Sequence, residues 1–283
     1  MHWQTTRFRI DLSLPRVMGI VNVTPDSFFD GGQHADTRAA IAHCERLLSE
    51  GADMLDIGGE STRPGADALG AAHELIRVLP VLREALRLGV PVSVDTSEPL
   101  VIREALALGV DIINDVRALQ RPGALACVAA VPKAGVCLMH MRGEPTHMQA
   151  EAVYGDVVAE VRVALAERAA VVRAAGVASD RIVLDPGIGF AKTADHNLAL
   201  MARQAELLSL GQPLLVGWSR KGTLGCITGR PVGGRLVASA VAALLAVQRG
   251  AAIVRVHDVA ATVDAIKVWQ AAERGCLGDS TAA

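Results

Sequence analysis

Ten side chains spread along the sequence have the types from which a polar binding site is built. They are the carboxylates Asp95 and Asp185, the carboxamides Asn22 and Asn114, the hydroxyls Thr62 and Ser219, the cations Arg63, Lys221 and Arg255, and the imidazole of His257. Carboxylates on one side and cations on the other suit a ligand whose head donates hydrogen bonds and whose tail is a phosphate. Neither a Ser-His-Asp order nor an activated cysteine is present, so covalent catalysis has little support.

Nearly all of these groups stand where an apolar run stops. Val17 to Val21 runs into Asn22, Met54 to Ile57 precedes Glu60, Val92 to Val94 precedes Asp95, and Ile112-Ile113 precedes Asn114-Asp115. The same grammar continues with Val136 to Met139 before His140, and Ile182-Val183-Leu184 before Asp185. It ends with Leu214 to Val216 before Ser219-Arg220-Lys221, and Ile253-Val254 before Arg255 and His257. β-Branched runs without alternation are what strands buried on both faces look like. Between them lie stretches of helical composition at Thr37 to Ser49, Ala71 to Leu88, Pro99 to Leu108, Val157 to Ala175 and Arg235 to Gln248.

Strand and helix alternating eight times, at roughly thirty residues per unit, predict an α/β fold of the (β/α)8 barrel type, a TIM barrel. In that architecture the strand C-termini share one mouth, so the polar groups converge. Neighbours on a strand point to opposite sides, which allows only one of Asn114 and Asp115 to face inward, and Asn114 is taken as that residue. Alternation also puts Arg255 and His257 on one face. Cations after strands seven and eight occupy the place where barrels commonly bind phosphate.

Several residues have local readings. Ser97 before Pro99 fits a helix N-cap. Asp26, Ser27 and Asp30, in the long loop after the first strand, fit turn formers. His140 has no second His or Cys at a ligand spacing, and Met139 and Met141 fit packing. Ala152 to Ala175 reads as one long helix closed by Gly176, and a further helix is read from Asn197 to Leu210. Phe8, Ile10, Leu12 and Leu14 alternate with polar residues, as in a half-buried strand. That short N-terminal β element either closes the barrel bottom or packs elsewhere as an edge.

The 283 residues fit a single barrel domain over 1–283 with a small decoration. Net charge is −2 and aromatic content 3%, with Lys and Arg spread out, so no nucleic-acid footprint is present. The longest apolar run, Leu236 to Val247, is interrupted by Ser239 and falls short of the ~20 residues that span a bilayer. Five cysteines without a Cys-x-x-Cys pair argue against a disulfide framework. A cytoplasmic protein, with no membrane partner, is the expectation.

Five segments carry a specific resemblance. They are Met18-Gly19-Ile20-Val21-Asn22-Val23-Thr24-Pro25-Asp26-Ser27-Phe28, Gly58-Gly59-Glu60-Ser61-Thr62-Arg63-Pro64-Gly65, Ser93-Val94-Asp95-Thr96, Leu184-Asp185-Pro186-Gly187, and Ser219-Arg220-Lys221 with Arg255-Val256-His257. In order and spacing, over nearly the whole chain, they resemble the dihydropteroate synthase family of pterin-binding barrels.

The resemblance implies a transferase of folate biosynthesis. It condenses (7,8-dihydropterin-6-yl)methyl diphosphate with p-aminobenzoate, a sulfonamide-target reaction, and releases diphosphate. It implies that Asp95, Asn114, Asp185 and Lys221 hold the pterin, and that Asn22, Thr62, Arg255 and His257 receive the diphosphate. The resemblance further implies Mg2+ bridging that diphosphate to Asn22. It also implies that Thr62, Arg63, Pro64, Phe190, Ser219 and Lys221 form the aminobenzoate pocket and that the assembly is a homodimer. The implied chemistry is ionisation to a pterin-stabilised cation, with Asn22, Thr62, Arg63, Lys221, Arg255 and His257 as the catalytic set. Departures from the family pattern are Phe29, Ala191, Trp218 and Gly222-Thr223, all of which bear on loop mobility and the shape of the aminobenzoate pocket. A corrinoid-dependent methyltransferase of the same fold has no need of Thr62-Arg63 or the Arg255-His257 end. An inactive pterin-binding paralogue should have lost members of the diphosphate set.

Overall fold

The computed structural model describes residues 1–23, 33–59, 70–144 and 147–276. Strands form along the unalternating apolar runs, because each has helices against one face and the barrel interior against the other. In chain order they are β3 (Arg16–Asn22), β4 (Met54–Gly58), β5 (Val92–Asp95), β6 (Ile112–Asp115), β7 (Gly135–Met139), β8 (Ile182–Asp185), β9 (Leu214–Val216) and β10 (Ala251–Val256). They pair in parallel in that order, and β10 joins β3 to close the barrel.

Helices α1 (Gln33–Ser49), α2 (Ala71–Ala85), α3 (Pro99–Leu108), α4 (Ala124–Ala129), α5 (Val157–Ala174), α6 (Ala194–Ala202), α7 (Gly222–Thr228), α8 (Leu236–Gln248) and α9 (Val259–Arg274) connect them. The third helix has its expected bounds, whereas the first begins at Gln33, ahead of Thr37, and the second ends at Ala85 with Leu86–Leu88 continuing as a 3-10 turn. Three further differences have local causes. The fifth helix begins at Val157, not Ala152, because Asp156 accepts from the backbone N–H groups of Val158 at 3.0 Å and Ala159 at 3.2 Å, an N-cap that sets the start. The stretch read as a helix from Asn197 to Leu210 is α6 followed by a 3-10 segment over Gln204–Leu210, with α6 opened earlier by Thr193 in a capping box with His196. Ser97 is not the cap of α3: Glu98 is the N-cap residue, and the Ser97 hydroxyl bonds the Asp115 carboxylate.

The N-terminal element is a hairpin of β1 (His2–Gln4) and β2 (Arg9–Asp11) that closes the barrel bottom. Trp3 and Ile10 pack on Met18, Met54, Ile112, Val183, Leu215 and Ile253, the inward residues at the strand starts. Trp3 is fully buried and its Nε1 donates to the Arg181 carbonyl at 2.9 Å. Alternation breaks at Leu14, which is half exposed. The arm is also tied outside the barrel, where Arg7 Nη2 meets the buried Asp111 carboxylate at 2.6 Å.

Candidate active site

Two residues beyond that apolar floor, the same strands carry polar groups. Met54 is followed on its face by Asp56, Ile112 by Asn114, Val183 by Asp185 and Ile253 by Arg255. Asn114, Asp185 and Arg255, together with Asp95 from β5, line a cavity of about 1460 Å³ at the C-terminal mouth, and Asp56 lies buried beneath it. Asn22, Phe190, Ser219, Lys221 and His257 line its rim and upper wall. Positive and negative ends therefore share one chamber.

Arg255 organises the deep wall. Its Nε donates to Asp56 Oδ2 at 2.5 Å and its Nη2 to Asp95 Oδ2 at 2.7 Å. Burial pulls this guanidinium's pKa down, but the carboxylates of Asp56 and Asp95 outweigh it and hold it above its ordinary value. Asp56 Oδ2 also accepts from Asn114 Nδ2 at 3.0 Å. Asn114 lines the cavity, while Asp115 points away and closes the following turn by accepting from the N–H groups of Arg117 at 2.8 Å and Leu119 at 2.7 Å. The choice of Asn114 over Asp115 agrees with this alternation.

The end of β8 is held differently. Asp185 Oδ1 accepts from the Gly187 N–H at 2.7 Å, and burial pushes this carboxyl's pKa up against that bond and the nearby Lys221. Gly187 has φ +70, and a Cβ there would strike the His140 carbonyl, so only glycine lets the turn pass so close to β7. Lys221 lies with its Nζ 4.2 Å from the Phe190 ring centroid, a cation over an aromatic face. Burial brings the Lys221 ammonium down to about 8, opposed by Asp185.

Behind Phe190, Lys192 is buried with its Nζ 3.0 Å from His140 Nδ1 and 3.0 Å from the Phe190 carbonyl. Burial lowers Lys192 to about 7 and His140 to about 3, the latter helped by Lys192 itself. His140 is thus neutral, and its Nδ1 is held against the Lys192 nitrogen. At the opposite wall Ser219 Oγ accepts from the His257 N–H at 3.1 Å and lies 2.9 Å from His257 Nδ1. Burial, reinforced by Arg255, takes His257 to about 3, so its imidazole is neutral.

The structure gathers nine of the expected site residues: Asn22, Asp95, Asn114, Asp185, Phe190, Ser219, Lys221, Arg255 and His257. Thr62, Arg63 and Pro64 lie outside the described residues, as does Phe29. Two groups were missed. Asp56 lies inside the apolar run Met54 to Ile57, which hides it, although a carboxylate alternating with Met54 and Gly58 signals an inward polar position. No spacing signal in the sequence marks Lys192.

Among the departures, Ala191 adopts φ +49, a left-handed conformation that costs a residue with a Cβ about 1–2 kcal/mol. That is the physical reason glycine suits the position. Trp218 turns into the packing between strands and helices and does not line the cavity. Thr223 is tied by Asn197 Nδ2 donating to its hydroxyl at 3.0 Å.

Comparisons with known proteins agree with this geometry. The pterin-binding enzyme family matches residues 18–257. Dihydropteroate synthase of Neisseria meningitidis serogroup C is 53% identical over 273 residues, covering 95% of this chain and 96% of that relative. Among solved structures, Xanthomonas albilineans dihydropteroate synthase with 4-aminobenzoic acid superimposes with a TM-score of 0.88 at 51% identity, covering 94% of this chain and 95% of that one. Burkholderia cenocepacia dihydropteroate synthase complexed with 7,8-dihydropteroate gives 0.87 at 46% identity, covering 97% of each chain. A barrel whose strand ends meet in one cavity, matched along nearly its full length at this identity, belongs to the pterin-binding enzyme family, among the dihydropteroate synthases.

Proposed function

We propose that this chain joins (7,8-dihydropterin-6-yl)methyl diphosphate to p-aminobenzoate, giving 7,8-dihydropteroate and diphosphate. One observation carries the reading: Asp95, Asn114 and Asp185 share a single cavity with Lys221, Arg255 and His257. The donor-rich pterin edge sits against the acidic groups, with Asp185 facing the 2-amino and N3 edge and Lys221 donating to the ring acceptors. The diphosphate sits toward Asn22 and His257 at the rim, with Thr62 and Arg255 completing its contacts. His257 is neutral and its Nδ1 is turned to Ser219, so Nε2 serves as its donor.

The C–O bond between methylene and diphosphate breaks, and its electron pair leaves with the phosphate. The pterin ring carries the resulting positive charge until the arylamine nitrogen attacks the methylene and loses its proton to solvent. No protein nucleophile enters this sequence. The protein's contribution is to orient the two substrates and to stabilise charge on the leaving group. Phe190, Ser219 and Lys221, with Thr62, Arg63 and Pro64, frame the aminobenzoate.

Mg2+ fits the donor set. Asn22 offers one neutral carbonyl oxygen at the rim, and among the described residues no trio of His, Cys, Asp or Glu gathers that could hold a metal. Such sparse ligation suits a hard cation carried mainly by substrate phosphate, whose chemistry is to draw off leaving-group charge.

The enzyme is read as a homodimer. Val237 and Val241, one turn apart on α8, and Val268 on the adjacent α9 are exposed by 70%, 50% and 71%, an apolar face that a second copy would cover. Its compartment is read as the cytoplasm, in keeping with five free thiols. Among the described residues no helix is long and apolar enough to cross a membrane.

The test is diphosphate release from the pterin substrate with and without p-aminobenzoate. Release coupled to dihydropteroate formation supports the reading, and absence of both overturns it.

A further inference from the structure

We propose that Asp56 is a positioning residue for the pterin end of the site: it fixes which way the Asn114 carboxamide faces and holds Arg255 in the same grip. This rests on the reading given under Proposed function and adds a residue to it.

Asp56 is wholly buried in the middle of β4, one layer below the cavity. An ionised carboxylate only accepts hydrogen bonds. Asn114 must therefore turn its Nδ2 toward Asp56 Oδ2, as the 3.0 Å contact shows, and its carbonyl Oδ1 is left for the cavity. Arg255 Nε donates to the same oxygen at 2.5 Å. One atom thus orients two cavity-lining groups from strands on either side of β4. Without it, the Asn114 amide has two nearly isosteric orientations, and only one presents an acceptor to a substrate N–H.

The carboxylate's second oxygen, Oδ1, is buried with no hydrogen-bond partner among the described residues. Ser93, the register partner of Asp56 on β5, also has a buried hydroxyl with no such partner. The working part of Asp56 is therefore the single oxygen Oδ2. An asparagine in its place can keep an acceptor at Oδ2 and put its NH2 where Oδ1 stands. Alanine cannot supply any acceptor.

The experiment compares Asp56→Ala with Asp56→Asn in steady-state kinetics, varying each substrate in turn. Expected for Asp56→Ala is a rise in KM for the pterin diphosphate of about twentyfold or more, with KM for p-aminobenzoate within about twofold of the unsubstituted enzyme. Asp56→Asn restores the pterin KM to within about threefold. The proposal falls if alanine leaves the pterin KM unchanged, if both KM values rise together, or if asparagine is as harmful as alanine.

Should the alanine variant not fold, hydrogen exchange of the Asn114 side-chain amide by nitrogen-15 NMR in the unsubstituted protein decides the matter. A protected amide supports the grip, and fast exchange overturns it. An unsubstituted enzyme that makes no dihydropteroate would sink the functional reading, while the amide measurement still stands by itself.

Discussion

The floor and the mouth of this barrel are built from the same strands, two residues apart, and they obey opposite rules. At the floor Met18, Met54, Ile112, Val183, Leu215 and Ile253 meet Trp3 and Ile10, and burying each such side chain contributes about 1.5–3 kcal/mol. At the mouth the next inward positions hold Asp56, Asn114, Asp185 and Arg255, whose desolvation opposes folding unless each charge is paired. The floor is complete without a ligand. The mouth is a set of charges balanced against one another and directed at a molecule that has both donors and an anionic tail.

Substitutions should separate the two layers. The largest effect is expected for Arg255→Ala: turnover drops by about a thousandfold or more as leaving-group stabilisation is lost, and Asp56 and Asp95 are left uncompensated. Diphosphate release measures this, and pterin binding should remain detectable by calorimetry. Retained turnover would remove Arg255 from the diphosphate end. Trp3→Ala is the opposite case, with about 3–5 kcal/mol lost from unfolding free energy and kcat little changed below the melting transition. If turnover fell while stability held, the floor would not be separate from the site.

A smaller change is expected from Asp185→Asn, a loss of about 1–3 kcal/mol in pterin affinity by calorimetry, the scale for an unpaired buried group. Unchanged affinity would show that the pterin edge lies elsewhere. Smallest is a pH effect. Lys221 titrates near 8 in the free protein, and its ammonium is the form that donates to the pterin, so kcat/KM for the pterin substrate should fall as pH rises through about 8. The loss should reach about tenfold by one unit above that value. Lys221→Arg, which stays charged, should flatten the alkaline limb even with lower activity overall. A limb that persists in that variant assigns the titration to another group, with Lys192 near 7 the first to test.

Much of the mouth was legible because a barrel converts position along a strand into position in space. A polar residue after an apolar run, such as Asp95, Asp185 or Arg255, can only emerge at one rim. The N-terminal alternation at Phe8, Ile10 and Leu12 likewise announced a half-buried strand, while its partner His2–Gln4 was too short to carry a pattern. Ser97 shows the limit of local reading, since an N-cap is possible at that position but the Asp115 carboxylate at the end of the neighbouring β6 competes for the hydroxyl and wins.

The order of the chain by itself determined the alternation of strands and helices, the closure they imply, and which residue types reach the mouth. Those follow from periodicity and strand-end chemistry, which are properties of neighbours in the chain. Only the tertiary structure decided who partners whom: Arg255 with Asp56, 199 positions away, and Lys192 with His140, 52 positions away. Hydrogen bonds depend on distances of about 3 Å and on direction, and no sequence separation encodes either. Whether a buried charge is a hazard or a tool is therefore settled when the strands close.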